Sequence, residues 1–595
     1  MSSCTAQWIA PKGHSHKRNC HFHASREFEL SEIPDDLELQ IACESYYLLR
    51  VNGIELGRGP ARSSLKLYYY DTYLLAPSVH PGVNRVEIEV LCMNVPTGRN
   101  VPPEAALWVR CGNLFASDGN WRCQVAEREW KEDAPFYNMQ QGLCEWRDLR
   151  FADEMTTLPT VVLPATSPIH RRELRPSGIP LPVETRHLPL DIIFPAWTGQ
   201  IDLTDPRIAV LGDLDEHLPV PEGTAMLLHS LAFGGCHSVS LPQPPENGGF
   251  TCIVHFGRLV SGRLEVELTA SEGTVVDIAH EETIRPDGHL RSDHTATNPT
   301  YNLSDRYILR NGRQTIGNYL VDRGFRMVRL TFRNFTGPVT LHRIEGIDRR
   351  YPMSQKGRFF SSDYQLNRLW ETAFETISAC TTDVFTDCPW RERLFFTNDF
   401  VVECRSALQL TGDYTLLHHA FDLIFSEMDE RGVFPCVIPS HNAMGVYHGF
   451  GKGFGWILSC NLTFPLSVLE YCLYSGDVAS LREWYPRIAA MMDTFRSFKT
   501  ERGVIDVRGD YQGDTTFFDW SFDLNGKQIP SAGSALMNSL YIIALQAMEQ
   551  LRALAGRQDD PSLTPEIEEM RRATIREFYR QAASISPERP SGTAS

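Results

Sequence analysis

Three carboxylates, Asp387, Glu392 and Asp399, fall within residues 387–399, DCPWRERLFFTND, among Arg391, Arg393 and the rings of Trp390, Phe395 and Phe396. Acids at this density can do one of two things. They can neutralise the arginines in a partly solvated ion-pair network, the usual fate of such a loop. They can also divide into protonated and ionised members, and a neutral carboxylic acid beside carboxylates is what protonates a glycosidic oxygen. Glu392 is the candidate for the neutral member, because the rings can desolvate it and two neighbouring carboxylates repel a third charge. Arg391 and Arg393 oppose that shift. Asp399 falls in the first turn of a predicted helix, where the positive end of the helix dipole favours its charge. Ring faces stack on the C–H faces of sugars, and Arg with carboxylates holds hydroxyls, so the set suits a sugar. Two later stretches repeat the pattern of acid and ring: GFGKGFGW at 449–456, with Trp456, and DTTFFDWSFD at 514–523, with Asp519 and Trp520. Each tryptophan taken singly reads more readily as core than as a ligand platform.

The elements that must position these residues change character along the chain. Up to about residue 350, short β-branched and aromatic runs alternate with turn signals, as in YYLLRVNGIELGRGP and GRLEVELTASEGTVVDIAH, and their spacing suggests β-sandwiches. A Pro-rich, weakly periodic stretch over 158–195 reads as a linker between two of them. After about 360 the hydrophobic period moves from 2 to 3.6. SSDYQLNRLWETAFETISAC opens with Ser362 or Asp363 as an N-cap and carries Leu366, Leu369, Trp370, Phe374 and Ile377 on one stripe. Further helices are predicted at about 397–411, 413–430, 454–475, 478–499, 532–555 and 564–583. The expected division is 1–157 sandwich, 158–195 linker, 196–352 second sandwich, 353–585 helical domain and 586–595 disordered tail.

A formal net charge of −17 argues against nucleic acid or an anionic membrane as partner, since phosphates would be repelled. The N-terminus shows no apolar core of a secretory signal, and no run of apolar residues is long enough to span a bilayer. The 15 cysteines are scattered and never in C-x-x-C spacing, which fits free thiols in a reducing compartment, and the expected location is the cytoplasm. No cofactor is expected. No metal is expected either, because the histidines of HHAF and GVYHGF lack ligand spacing and the adjacent His418 and His419 do not share a helix face.

DCPWRERLFFTND resembles the signature of the alpha-L-rhamnosidases of glycoside hydrolase family 78, which runs roughly D-C-P-x-R-[DE]-E-R-x-G-W-x-G-D. The resemblance extends over about residues 8 to 555. YYLLRVNGIELGRGPARSS and the tyrosine-rich YYYDTYLL look like that family's N-terminal sandwich. HFGRLVSGRLEVELTASEGTVVDIAHEETIRPDGHL looks like its second sandwich, and GRFFSSDYQLNRLWETAFETI like the entry helix of its (α/α)6 barrel. The fold implied is a multidomain β + α chain, two β-sandwiches followed by a partial (α/α)6 barrel. By position the resemblance makes Glu392 the general acid. It makes Asp387, Arg391 and Asp399 holders of rhamnose hydroxyls, and Phe396, Trp456 and Trp520, with Asp519 beside the last, parts of the sugar-binding wall. The implied reaction is inverting hydrolysis of a terminal alpha-L-rhamnoside on a small molecule or polysaccharide. The sequence departs from the signature at Phe395 and Phe396, where Gly-Trp is usual, at Asn398, and at His255, Leu259 and Ser459.

The resemblance also places the general base in the second half of the barrel, past residue 595, and an (α/α)6 barrel needs more helices than the seven predicted. Three further readings therefore stand beside the hydrolase: a non-catalytic sugar-binding relative, a truncated product lacking the base, and another (α/α)6 activity such as a phosphorylase. Apolar inner faces left exposed in a partial barrel would drive self-association. Glu403, Glu427 and Glu430 are the nearby acids that could substitute as base, each reading more readily as a solvated helix residue.

Overall fold

The structure, a computed structural model, describes residues 5–100, 104–138, 140–199, 217–245, 248–284, 303–335, 337–439, 457–507 and 534–579. It divides into two compact units, Met1–Ser354 with Phe360–Leu394, and Gln355–Phe359 with Phe395–Ser595.

The first unit opens with a sandwich of a seven-stranded and a six-stranded sheet. The long pair Cys20–Leu30 and Gly82–Cys92 lies at the centre of the six-stranded sheet. Alternation along each strand sends Phe22, Ala24 and Phe28, and Val86, Ile88 and Val90, into the core against Leu39, Ile41, Leu107 and Val109 of the other sheet. The opposite face of the six-stranded sheet is covered too, by Trp130, Leu143, Leu320 and Val321 packed on Leu48 and Leu91.

The second sandwich is an eleven-stranded sheet built on one strand, Gly249–Ala270. Its first half pairs with Asp191–Thr198 and its second with Thr340–Arg350 and Gly312–Ile316, while Arg323–Arg333 runs beside both. The register shifts between His255 and Val260, where Gly257 takes φ +70°, and the strand bends there so that the sheet folds over its own core of Phe250, Val254, Phe256, Leu264, Val328 and Leu330.

The stretch 158–195, expected as a linker, supplies strands to both sandwiches. Thr160–Val162 and Glu173–Pro176 pair into the first, Val183–His187 and Asp191–Thr198 into the second. Glu173–Pro176 and Val183–His187 sit at sheet edges with most side chains exposed, so they carry no alternation for a sequence reading to detect.

Helix α1, Thr224–Ala232, packs on strand Asp191–Thr198. Helix α2, Tyr364–Ala379, closes the first unit and is capped by Asp363, whose side chain accepts from the Gln365 N–H at 2.8 Å. The second unit is helical: α3 Phe400–Leu410, α4 Tyr414–Glu427, α5 Ser459–Ser475, α6 Val478–Ser497, α7 Ala535–Leu554 and α8 Thr564–Thr574. Asp413, Asp477 and Ser534 cap α4, α6 and α7. Helix α5 is buried almost all round and packs against α3 and α7; the rings of Phe421, Phe425, Phe464, Tyr471 and Trp484 join α4, α5 and α6. All seven helices predicted after residue 360 are present among the described residues, with ends displaced by a few residues. The fold class is thus β-sandwiches followed by α/α-barrel-type helices. Among the described residues, no helix is long and apolar enough to cross a membrane.

Candidate active site

The segment after α2 is pinned at both ends by its own backbone. The Thr386 N–H donates to the Cys380 carbonyl at 2.9 Å, and the Asp387 N–H to the Leu394 carbonyl at 3.0 Å. Asp387 closes the loop a second time, since its Oδ1 accepts from the Leu394 N–H at 2.9 Å. Residues 387–394 therefore form a loop whose two ends meet at one aspartate.

The sandwiches hold this loop from outside. Asn138 accepts from the Gln141 N–H with its Oδ1, at 2.7 Å, and donates its Nδ2 to the Arg391 carbonyl at 2.6 Å. Gln141 donates to the carbonyls of Trp390 and Arg391, at 2.6 and 2.9 Å. The Trp390 indole N–H reaches the His280 carbonyl at 2.9 Å, and its ring packs with Tyr137, Cys144 and Leu303. Gly324 lies so close to the loop that a β-carbon there would come within 1.9 Å of the Pro389 carbonyl oxygen. Arg393 takes φ +56°, a conformation that costs a non-glycine residue free energy. It is held by its guanidinium, which donates to the Pro389 carbonyl at 2.5 Å and to Ser261 Oγ at 3.1 Å, and by Arg62, which donates to its carbonyl at 3.2 Å. Trp390 is therefore a structural anchor facing the sandwich core.

Two acids in this segment have opposite electrostatics. Asp383 accepts from the Arg62 N–H at 2.5 Å and from the Arg99 guanidinium at 3.2 Å. Burial works against its charge, yet Arg99 and Arg62 outweigh burial and hold its carboxyl down at about 2. Burial also pulls the Arg62 guanidinium down to about 10. Among the described residues, no guanidinium is paired with Asp387. Burial, and next the Glu392 carboxyl with which it shares a hydrogen bond, push the Asp387 carboxyl well above the usual range. Its Oδ2 also accepts from the Cys388 thiol at 3.0 Å. Glu392 stands at the outer end of the pair with a side chain 19 % exposed, and its Oε1 lies 2.9 Å from the Arg391 guanidinium. The raised carboxyl of the pair is therefore the inner one, Asp387.

Asp387, Arg391 and Glu392 are thus brought together in the first unit. Phe396 and Asp399 belong to the second. There, strand Phe395–Phe396 pairs with Val437–Ile438, and Phe395 packs edge-on against Phe400. Asp399 occupies the N-cap of α3 without a side-chain cap, and its carbonyl accepts from the N–H groups of Val402 and Glu403. Trp456, Asp519 and Trp520 lie outside the described residues. Among the acids considered as substitute bases, Glu427 is buried at the end of α4 and Glu403 lies in the first turn of α3. The sequence reading missed Asp383, Arg62, Arg99, Asn138 and Gln141. Only Asp383 lies near the signature, and no spacing rule links the others to it.

Residues 354–592 match the family model of the bacterial alpha-L-rhamnosidase 6 hairpin glycosidase domain, and residues 247–347 that of the bacterial alpha-L-rhamnosidase concanavalin-like domain. A search of curated proteins found no match. Among solved structures, the GH78 family rhamnosidase of Bacillus sp. GL1 is similar at TM-score 0.79 and 20% identity, over 97% of this chain and 76% of that one. The alpha-L-rhamnosidase of Dictyoglumus thermophilum gives 0.66 at 16% identity, over 96% and 60%. That of Streptomyces avermitilis, complexed with L-rhamnose, gives 0.62 at 15% identity, over 94% and 49%. At these identities the likeness is one of fold, and the chain spans between half and three-quarters of the length of these relatives.

Proposed function

We propose that this chain, which belongs to the bacterial alpha-L-rhamnosidase family, removes terminal alpha-L-rhamnose or a related deoxysugar from a glycosylated small molecule or polysaccharide by inverting acid–base hydrolysis. The observation that carries the reading is the half-buried Asp387–Glu392 carboxyl pair, held in a braced loop beside Arg391. Burial, and next the Glu392 carboxyl, keep a proton on Asp387 to a higher pH than an ordinary carboxyl would hold it. Glu392, at the exposed end, delivers that proton to the departing glycosidic oxygen. Asp387 stores it and sets the orientation of Glu392. Arg391 holds Glu392 and donates to a sugar hydroxyl; Phe396, Asp399, Trp456, Asp519 and Trp520 complete the sugar-binding wall.

Asp387 is not the base that activates water. An inverting pair stands about 6.5–9.5 Å apart to admit a water on the opposite face of the sugar, whereas Asp387 and Glu392 share a hydrogen bond. The base is a carboxylate outside this loop. The domain division proposed is the one expected above, save that 158–195 belongs to the sandwiches. A cytoplasmic location and self-association through the apolar face of α2 belong to the same proposal.

The test is release of the phenol from an aryl alpha-L-rhamnoside. The wild-type chain should turn over, and Glu392→Gln should lose about 10²–10⁴-fold in kcat while still binding rhamnose by calorimetry. Equal rates for the two proteins, with rhamnose still bound, would favour a sugar-binding relative instead.

A further inference from the structure

The outer face of the six-stranded sheet carries a group of side chains that the sugar site does not use. Strand Cys20–Leu30 turns Cys20, Phe22 and Ala24 into the core, so His21 and His23 stand together on the opposite face. The neighbouring strand, Gly82–Cys92, sets Glu89 directly across from His23. The Nε2 atoms of His21 and His23 each lie 3.6 Å from Glu89 Oε2. All three atoms fall within 4.8 Å of one another. A separation of 3.6 Å is too long for a hydrogen bond. It is close to the edge of about 3.4 Å between ligands that bind a tetrahedral ion at about 2.1 Å.

Two further observations point to a ligand. The His21 side chain is 2 % exposed and its ring stacks on Trp130, with centroids 4.7 Å apart, yet neither ring nitrogen has a partner at ordinary hydrogen-bonding distance, the nearest being Glu89 Oε2 at 3.6 Å. Buried polar groups are rarely left so. Glu89 is also aimed: its Oε1 accepts from the Tyr319 hydroxyl at 2.8 Å and from Arg50, which leaves Oε2 facing the imidazoles. Orientation of a carboxylate by outer partners is what metal sites require. Two guanidiniums stand near. Arg50 is engaged by Glu89 and Arg147 by Glu129. The His23 side chain is 37 % exposed and gives a route from solvent.

We propose that His21, His23 and Glu89 bind a divalent transition-metal ion. Two imidazole nitrogens, one carboxylate oxygen and a solvent-facing fourth position match Zn²⁺. Tyr319 precedes strand Arg323–Arg333 of the second sandwich, so an ion on Glu89 would fasten the two sandwiches at that point. Its role is structural, and it is independent of the carboxyl pair.

Calorimetry on the full chain, stripped with a chelator, tests this with Zn²⁺ as titrant. The wild type should take up one tight equivalent and its Tm should rise with Zn²⁺. His23→Gln, a change at the exposed rim, should bind at least about tenfold more weakly and lose the Tm response. Equal Zn²⁺ uptake by both proteins, or none by the wild type, would overturn the assignment. Co²⁺ bound to the wild type gives a reading that needs no variant. Visible bands of a four- or five-coordinate ion without thiolate charge transfer are expected. The spectrum of the hydrated ion, or thiolate bands from the chain's cysteines, would overturn it.

Discussion

Asp383 and Asp387 lie in one loop, and their surroundings move their carboxyls in opposite directions. Asp383 sits between Arg62 and Arg99 and is held at about 2. A carboxyl depressed in the folded state adds stability above its ordinary range near pH 4, and that stability is lost as pH falls through about 2. A displacement of this size corresponds to roughly 2 kcal/mol. Removing the acid costs more than that, because Arg62 and Arg99 would stay buried without it. Asp383→Ala should destabilise the protein by roughly 3–5 kcal/mol in urea unfolding. Asp387 has the reverse sign. Its carboxyl is raised by burial and by Glu392, so its contribution is full below the ordinary carboxylate range and fades as pH rises through the raised value. Asp387→Asn keeps the acceptor for the Leu394 N–H, so thermal melts of the variant should lose less stability between pH 5 and pH 9 than the wild type loses. At this scale the sequence showed which acids cluster. It did not show which one lies deeper, because depth depends on Asn138, Gln141 and Arg62, each far away in the chain.

The loop 387–394 is an element whose shape is imposed by two sandwiches. Gly324 shows this most directly, since its missing side chain leaves the space for the Pro389 carbonyl. Gly324→Ala must push the loop outward, and because strand Arg323–Arg333 is otherwise well packed the fold should persist. Steady-state kinetics on an aryl rhamnoside should then show kcat lowered by roughly 10²-fold with a near-native melting temperature. Helices were legible at this scale because all but the buried α5 carry an apolar stripe and most a capping Asp or Ser. Edge strands were not, since exposure on both faces removes the alternation. The His21–His23 pair was equally hidden. On a strand the i, i+2 positions share a face, and Glu89 comes beside them only through cross-strand register.

Across the whole molecule the apolar surface is uneven. Tyr364, Leu366 and Leu369 of α2, with Phe360 just before it, are exposed together, and among the helix's residues only Ile377 and Ala379 are buried. Such a stripe favours association. Sedimentation velocity should show concentration-dependent oligomers, and Leu366→Glu with Leu369→Glu should shift them to monomer; an unchanged distribution would remove self-association from the account. The order of sandwiches and helices was readable from the change of hydrophobic period near residue 360, while the unit boundary after Leu394 was not, because charge and ring are continuous through 387–399. The account rests on the raised carboxyl of Asp387, hydrogen-bonded to Glu392. The pH dependence of kcat/KM for an aryl alpha-L-rhamnoside, compared between wild type and Asp387→Asn, tests it most directly. The alkaline limb should move in the variant, because the raised Asp387 carboxyl no longer titrates there. A limb that stays in place would contradict a part for that carboxyl in the reaction.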